Sequence, residues 1–198
     1  MNRLKKCMIL LGMSLSVFFI YKNTYHSKIK LLVIGDSLSI SKNHNSYLDY
    51  FEEQISNNIK INKKYIREDL TIHEVLLLLK NNSSLKKDLL ESHILVLNLG
   101  LNDYLYQESI KKNQINQDNS IERIQKELEE LINEIEKYYK ETIYVIEYPK
   151  KDKINNKINL LLKEQEIHFI EIKDDNKVKW EEKIAEELKK TLEKEQNI

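Results

Sequence analysis

Glycine, proline and cysteine are scarce in this chain of 198 residues, which contains three glycines, one proline and one cysteine. An average usage of about 7% would give roughly 14 glycines, so each glycine present should have a reason in the backbone. The single cysteine, Cys7, cannot form a disulfide within the chain, and no spacing of cysteines and histidines is typical of a zinc or iron–sulfur site. We therefore expect no internal disulfide, no metal and no cofactor.

An excess of positive charge is also absent. The chain has 32 basic and 32 acidic residues, and its three arginines are scattered. A nucleic-acid-binding protein usually carries a basic patch or stripe, and a phosphate clamp usually needs a cluster of arginines. The sequence therefore predicts no nucleic-acid partner and does not favour nucleotide chemistry.

One long hydrophobic run stands near the start of the chain, at residues 7–21 (CMILLGMSLSVFFIY), after Arg3, Lys5 and Lys6. A basic start followed by an apolar run is typical of a signal peptide or signal anchor. The run is shorter than the roughly 17 to 25 residues of a transmembrane helix, and no small-residue cleavage site follows it. We expect residues 1–27 to be a signal anchor and tether; a cleaved signal peptide and a buried helix are the alternatives.

The charge on either side of this run predicts the orientation of the chain. Basic residues flanking a membrane segment tend to stay on the cytoplasmic side. The expected protein is a single-pass membrane protein whose domain, residues 28–198, lies on the extracytoplasmic side. Cleavage of the segment would instead make the domain a secreted one.

From residue 28 onward, short apolar runs alternate with longer amphipathic segments, which is the pattern of βαβ units. The runs at 29–34 (IKLLVI) and 93–99 (HILVLNL) are nearly continuous, as in central parallel strands buried on both faces. Further strands are predicted at 58–65, 142–147 and 167–172. Helices are predicted around 47–55, from a cap at Asp69 or Thr71 through 79, at 121–135, at 154–163 and from 179 onward. The sequence thus predicts one α/β domain with five strands; coiled-coil pairing of the 121–135 helix is a less economical alternative.

Two short polar motifs follow the two most apolar strands. Gly35-Asp36-Ser37 follows the first, and Gly100-Leu101-Asn102-Asp103 follows the second. Ligands of an open parallel sheet bind beyond the carboxyl ends of its strands. Turn formation alone would explain the glycines, a helix N-cap would explain Ser37, and an Asx-turn would explain Asn102. These explanations do not account for a serine and an asparagine leaving the same edge, two residues after each glycine.

With these motifs, present as IGDSLS and LGLND about 65 residues apart, the chain resembles the SGNH (GDSL-type) hydrolase family. The resemblance implies a flavodoxin-like three-layer α/β sandwich with a parallel sheet, and acyl transfer by a serine nucleophile. It makes Ser37 the nucleophile and Asp36 a residue that orients the turn. It places the oxyanion among the backbone at Ser37 and Gly100 and the side-chain amide of Asn102.

The chain departs from the family pattern in two places. The family usually supplies a glycine N–H to the oxyanion hole after the second strand, where this chain has KKYIRED at 63–69; an N–H near 65–67 could take its place. The family also carries Asp-x-x-His before the final helix, and no histidine follows His168 here.

The missing histidine leaves the general base open. Asp174 or Asp175 could stand for the acidic partner, and His44 or His73 could act as a substitute base. Without its base, serine is a poor nucleophile, and the loss of a triad member typically leaves only about 10³ to 10⁴ in rate over water.

We therefore expect an esterase or deacylase that acts outside the membrane on an acyl ester of a small molecule, glycan or lipid, weakly or with an atypical base. The alternative is a catalytically inactive pseudoenzyme that uses the same fold as a binding module of the cell envelope. The missing histidine favours the second hypothesis, and the intact serine and asparagine favour the first.

Overall fold

The computed structural model describes residues 28–36, 39–40, 46–55, 58–100, 102–103, 114–146, 167–170 and 179–196. The predicted anchor at 7–21 and the predicted helix at 154–163 lie outside these residues, and the boundary at residue 28 stays a prediction. Within the described part of the chain, no helix is both long and apolar enough to cross a bilayer.

A five-stranded parallel sheet forms the centre of the domain, in the order β2-β1-β3-β4-β5. The strands lie at β1 Ile29–Gly35, β2 Ile59–Ile66, β3 Ile94–Asn98, β4 Thr142–Ile146 and β5 His168–Ile170. All five coincide with predicted strands to within a few residues. The expected five-stranded parallel sheet is confirmed, and β2 and β5 lie at its edges.

The first four described helices lie in connections between these strands, and the fifth follows β5. They are α1 Tyr47–Gln54, α2 Ile72–Asn81, α3 Ser83–Leu90, α4 Gln114–Glu136 and α5 Trp180–Gln196. Of the two predicted caps for α2, the structure selects Thr71, whose hydroxyl accepts a hydrogen bond from Glu74 N at 3.3 Å. The Glu74 carboxylate accepts in return from Thr71 N at 3.1 Å, which completes a capping box.

Helix α3 has no counterpart among the predicted elements. Asn82 ends α2 and caps α3, because its side-chain oxygen accepts from Ser84 N at 2.8 Å. A tertiary contact then holds α3 against the edge strand: the Tyr65 hydroxyl donates to the buried Asp88 carboxylate at 2.6 Å. Eight residues are too few to form a stable helix alone, so this element depends on its docking.

Strand β1 is buried on both faces, and its alternate residues define the three layers of the fold. Leu32 and Ile34 belong to the cluster formed with α2, α3 and α4. Leu31 and Val33 belong to the cluster formed with α1 and α5. Helices thus cover both faces of the sheet, as expected for a doubly wound α/β domain, and the long helix α4 packs on the sheet layer as a single helix.

Candidate active site

The two motif-bearing segments leave neighbouring strands at the same edge of the sheet. Gly35 and Asn98 are paired in the β1–β3 ladder, and Asp36 N donates to Asn98 O at 3.0 Å, one residue beyond it. Strand β2 ends beside them, since Ile66 pairs with Gly35. Strand β2 lies on one side of β1 and β3 lies on the other, so the strand order reverses at β1. Ligands of such sheets bind at this switch point, beyond the carboxyl ends of the strands.

Gly35 allows the turn after β1 to fold back tightly on the strand. A Cβ at this position would lie 2.0 Å from Ser39 Oγ and 2.9 Å from Ser39 Cβ, closer than atoms can approach. Ser39 N donates to Asp36 O at 2.9 Å and closes the turn. Ser37, the predicted nucleophile, lies between these two ends and outside the described residues, so its role stays a prediction.

A cluster of buried polar side chains lies at the base of this turn; its members are Ser39, Tyr47 and Asn98, hereafter the turn cluster. Ser39 Oγ donates to Asn98 Oδ1 at 3.3 Å and lies 3.3 Å from the Tyr47 hydroxyl. Ser39 Oγ and the Tyr47 hydroxyl are close enough to share a hydrogen bond, in which either group can be the donor. The motif analysis did not identify these residues; the signal was an asparagine ending an otherwise apolar strand (ILVLN).

Electrostatics keep Tyr47 in its neutral, proton-donating form. Its side chain is fully buried, and desolvation raises the pKa of the phenol far above its usual value. The hydrogen bond with Ser39 opposes this shift, while the nearby charge of Asp36 adds to it. Asp36 is itself fully buried, at the start of the turn that it was predicted to orient.

Asn102 lies at the same edge, but its amide is engaged. Its Nδ2 donates to Glu68 O at 2.8 Å and to Leu70 O at 3.1 Å, both in the loop between β2 and α2. The chain reaches Asn102 through Gly100, whose φ of 108° lies in the region that favours glycine. An amide NH₂ group has two donors, so contact with an oxyanion requires Asn102 to release one of these carbonyls.

Asp103 continues the same attachment to α2. Its Oδ2 accepts from Ile72 N, in the first turn of α2, at 3.2 Å. The pKa of the Asp103 carboxyl is raised to about 6, chiefly by burial. The hydrogen bond from Ile72 N and the charge of Arg123 oppose this rise, and the charge of Glu127 adds to it. Asn102 and Asp103 together join the end of β3 to the start of α2.

The loop after β2 stands where the sequence resemblance implied a glycine N–H. Arg67 N donates to Gly35 O at 3.3 Å, so this N–H already extends the β1–β2 pairing. The Arg67 guanidinium binds the carboxylates of Asp69 and Glu74 and lowers the pKa of both. The loop is thus held by Asn102 on one side and by its own ion pairs on the other.

Three histidines lie among the described residues, at different places in the fold. His73 is exposed in the first turn of α2, where it follows Ile72, whose N–H donates to Asp103. His93 lies at the opposite edge, where its Nδ1 accepts from Lys30 N at 3.0 Å. His168 begins β5, with its ring 5.2 Å from that of Tyr144. The other candidates, His44, Asp174 and Asp175, lie outside the described residues.

Metal ligands are not grouped in the part of the chain that the structure describes, where no three histidine, cysteine, aspartate or glutamate side chains are placed to hold an ion.

Comparison with known proteins identifies the fold. No family model matches the sequence, and no curated protein matches it. Among solved structures, the lipase Lip_vut3 from a goat rumen metagenome is 15% identical, with a TM-score of 0.64 over 82% of this chain and 97% of that one. TesA is 12% identical, with a TM-score of 0.60 over 83% of this chain and 98% of that one. A catalytic mutant of Axe2, an acetylxylan esterase from Geobacillus stearothermophilus, is 12% identical, with a TM-score of 0.56 over 85% and 94%.

Replacing Gly35 by alanine should destabilise the domain, because the new Cβ would meet Ser39 at less than 3 Å. We expect a loss of about 1 to 3 kcal/mol, typical of overpacking, measured as a lower urea midpoint. The double variant Gly35→Ala/Ser39→Gly removes the obstructing atoms and should recover part of the loss. An unchanged midpoint in Gly35→Ala would show that the turn is not packed as described.

Asp103 should make stability depend on pH between about 4 and 6. Because its folded pKa of about 6 exceeds the usual value of 3.8, the folded state holds this proton more tightly. The contribution of Asp103 is therefore fully present below pH 4 and is lost as the pH rises through 6. Relative to Asp103→Asn, the wild type should lose about 1 to 2 kcal/mol over this range, as measured by urea unfolding at several pH values.

A matched control for this measurement is Asp69→Asn, at an exposed carboxylate whose pKa Arg67 lowers. Its effect should be small and of opposite sign, since the stability linked to a lowered carboxyl pKa is lost as the pH falls. A constant difference between the wild type and Asp103→Asn from pH 4 to 7 would contradict the assignment to Asp103.

Proposed function

We propose that this chain, which has the fold of SGNH-type esterases and lipases, is a serine hydrolase of that type that cleaves an acyl ester. The observation that carries the proposal is the hydrogen bond from Asp36 N to Asn98 O. It aligns the ends of β1 and β3, so the G-D-S and G-x-N-D motifs start from adjacent positions. The resemblance in sequence and the likeness in fold therefore concern the same edge of the sheet.

The proposed reaction has two steps. The Ser37 hydroxyl oxygen bonds to the ester carbonyl carbon, the ester C–O bond breaks, and the serine proton ends on the departing alcohol. Water then attacks the acyl-serine, which releases the carboxylic acid and restores the hydroxyl. The negative oxygen of each tetrahedral intermediate is held by backbone N–H groups at Ser37 and Gly100 and by the Asn102 amide, each donor contributing about 10² to 10³ in rate.

Full participation of Asn102 requires a small rearrangement. Both of its amide hydrogens are bonded to carbonyls of the β2–α2 loop. If the carbonyl of either Glu68 or Leu70 moved away from the amide, one donor would become free and the other would stay bonded to the loop. Substrate binding in the crevice supplies the interaction that would favour this state.

The proton acceptor in this proposal is His73 or His44. His73 has support from its place in the first turn of α2, the helix whose Ile72 N donates to Asp103. Asp174 or Asp175 is the proposed acidic partner, from its position in the sequence before α5. A base outside the usual Asp-x-x-His arrangement is expected to give slower turnover than a complete triad.

The proposed place of action is the extracytoplasmic side of a membrane, from the basic start and the apolar run at 7–21. The proposed substrate is an acyl ester carried by a small molecule, a glycan or a lipid. The solved structures with this fold include proteins named as a lipase and an acetylxylan esterase, which supports an ester without selecting its acyl chain.

A second candidate function, a catalytically inactive binding module, is favoured by the same Asn102 contacts. An amide that is satisfied by two loop carbonyls serves structure without any substrate. A module of this type would keep the motif asparagine for folding alone.

Labelling of the full chain with a fluorophosphonate distinguishes the two functions. The serine oxygen bonds to phosphorus, fluoride leaves, and the serine proton passes to the base or to water. We expect the wild type to be labelled and to hydrolyse a short acyl ester, and Ser37→Ala to lose both by at least about 10³-fold. Ser83→Ala, at an exposed serine on α3, is the control and should match the wild type.

The same assay identifies the base, since His73→Ala or His44→Ala should lower turnover by about 10² to 10⁴ if that residue accepts the proton. Equal behaviour of the wild type and Ser37→Ala, whether both are labelled or neither is, would reject the hydrolase and favour the binding module.

A further inference from the structure

We infer that the turn cluster, Ser39, Tyr47 and Asn98, consists of positioning residues that hold the Ser37 turn in its reactive placement. The inference rests on the proposed function for its catalytic consequence. Two members of the cluster lie outside the two sequence motifs: Asn98 at the end of β3 and Tyr47 at the start of α1.

Asn98 holds the turn at both of its ends. Its main-chain oxygen accepts from Asp36 N at 3.0 Å, and its side-chain oxygen accepts from Ser39 Oγ at 3.3 Å. Asp36 and Ser39 are in turn joined by the bond from Ser39 N to Asp36 O at 2.9 Å. The two residues that flank positions 37 and 38 are therefore attached to the same strand end and to each other.

Tyr47 connects this attachment to the helical layer. It is the first residue of α1, and its hydroxyl lies 3.3 Å from Ser39 Oγ. The ring packs in the apolar cluster between α1, α5 and the sheet, so the hydroxyl is presented from a rigid support. A hydroxyl fixed in this way restrains the rotamer of Ser39, whose Oγ donates to Asn98 Oδ1.

The cluster is costly for stability, which argues that it has a purpose besides packing. Ser39, Tyr47 and Asn98 are at most 2% exposed, and buried polar groups cost free energy unless all their bonds are made. Asn98 Nδ2 is buried and makes no hydrogen bond with any described residue. Apolar side chains would fill this space more cheaply, but they could not orient a turn through directed bonds.

The consequence for catalysis is a loss in rate rather than in affinity. The cluster lies beneath the turn and has no surface exposed to a substrate. Its loss should move the Ser37 hydroxyl relative to the carbonyl carbon, and displacements of about 1 Å can cost up to about 10²-fold in rate. The substrate-binding crevice outside the turn would be unchanged, so KM should stay near its wild-type value.

The test compares Tyr47→Phe with Tyr50→Phe in the full chain, because both tyrosines lie on α1 and only Tyr47 belongs to the turn cluster. Kinetic constants are measured for ester turnover and for fluorophosphonate labelling, well below the melting temperature of each variant. For Tyr47→Phe we expect kcat to fall about three- to tenfold with KM within about twofold. Ser39→Ala, which loses both side-chain bonds, should lose about 10- to 100-fold, and Tyr50→Phe should match the wild type.

A second measurement does not depend on catalysis. The N–H groups of Asp36 and Ser39 are hydrogen-bonded in the turn, so their hydrogen exchange reports whether it is held in place. We expect both to exchange at least about fivefold faster in Tyr47→Phe than in Tyr50→Phe.

The two proposals fail in different ways. Unchanged exchange at Asp36 and Ser39 in Tyr47→Phe overturns the positioning role, whether or not the chain is an enzyme. A wild-type kcat in both Tyr47→Phe and Ser39→Ala, in a chain whose turnover requires Ser37, overturns it as well. Faster exchange without any Ser37-dependent turnover supports the positioning role and rejects the hydrolase.

Discussion

One hydrogen bond beyond the regular ladder, from Asp36 N to Asn98 O at 3.0 Å, aligns the carboxyl ends of β1 and β3. Every other feature of the candidate site takes its position from this alignment. Burial of β1 on both faces opposes a shift in register, because the close-packed side chains on each face would have to repack. The turn after β1 and the Asn102 segment after β3 are thus held at one edge by the packing of the whole sheet.

Asn102 illustrates a competition between structure and chemistry at this edge. Its two donors satisfy two carbonyls of the β2–α2 loop, and unsatisfied carbonyls are costly where water is excluded. An oxyanion offers a charged acceptor, which forms a stronger hydrogen bond than a neutral carbonyl does. A substrate that develops this charge could therefore recruit one donor at the moment of reaction, whereas a bound neutral ligand would leave the loop attached.

The opposite side of the site has a different physical character. There the turn cluster is buried and its bonds run between neutral groups, since desolvation keeps Tyr47 protonated. Asn102 and Asp103 are half-buried; Asn102 attaches the edge to the β2–α2 loop and Asp103 attaches it to α2, whereas the cluster attaches it to α1. The ends of β1 and β3 are thus attached to both helical layers.

Much of the fold could be predicted from the sequence because apolar patterning is a local property. The near-continuous runs at 29–34 and 93–99 indicated buried parallel strands, and the glycine after each marked where the strand ends. Helix α3 was not predicted, because its eight residues are stabilised by distant contacts: Leu85 and Leu89 are buried in the core, and Asp88 accepts from Tyr65. The sequence also left two caps for α2, and the choice of Thr71 depended on the reach of its hydroxyl to Glu74 N.

For the site, the sequence by itself determined which chemical groups are present and that two motifs share one edge, since the carboxyl ends of parallel strands lie at the same edge of a sheet. Only the tertiary structure decided what those groups contact. It directed the Asn102 amide toward loop carbonyls, raised the pKa of Asp103 through burial, and gathered Ser39, Tyr47 and Asn98 beneath the turn. The reason is physical: hydrogen-bond partners and desolvation depend on distances between residues that lie far apart along the chain, and composition and spacing do not contain those distances.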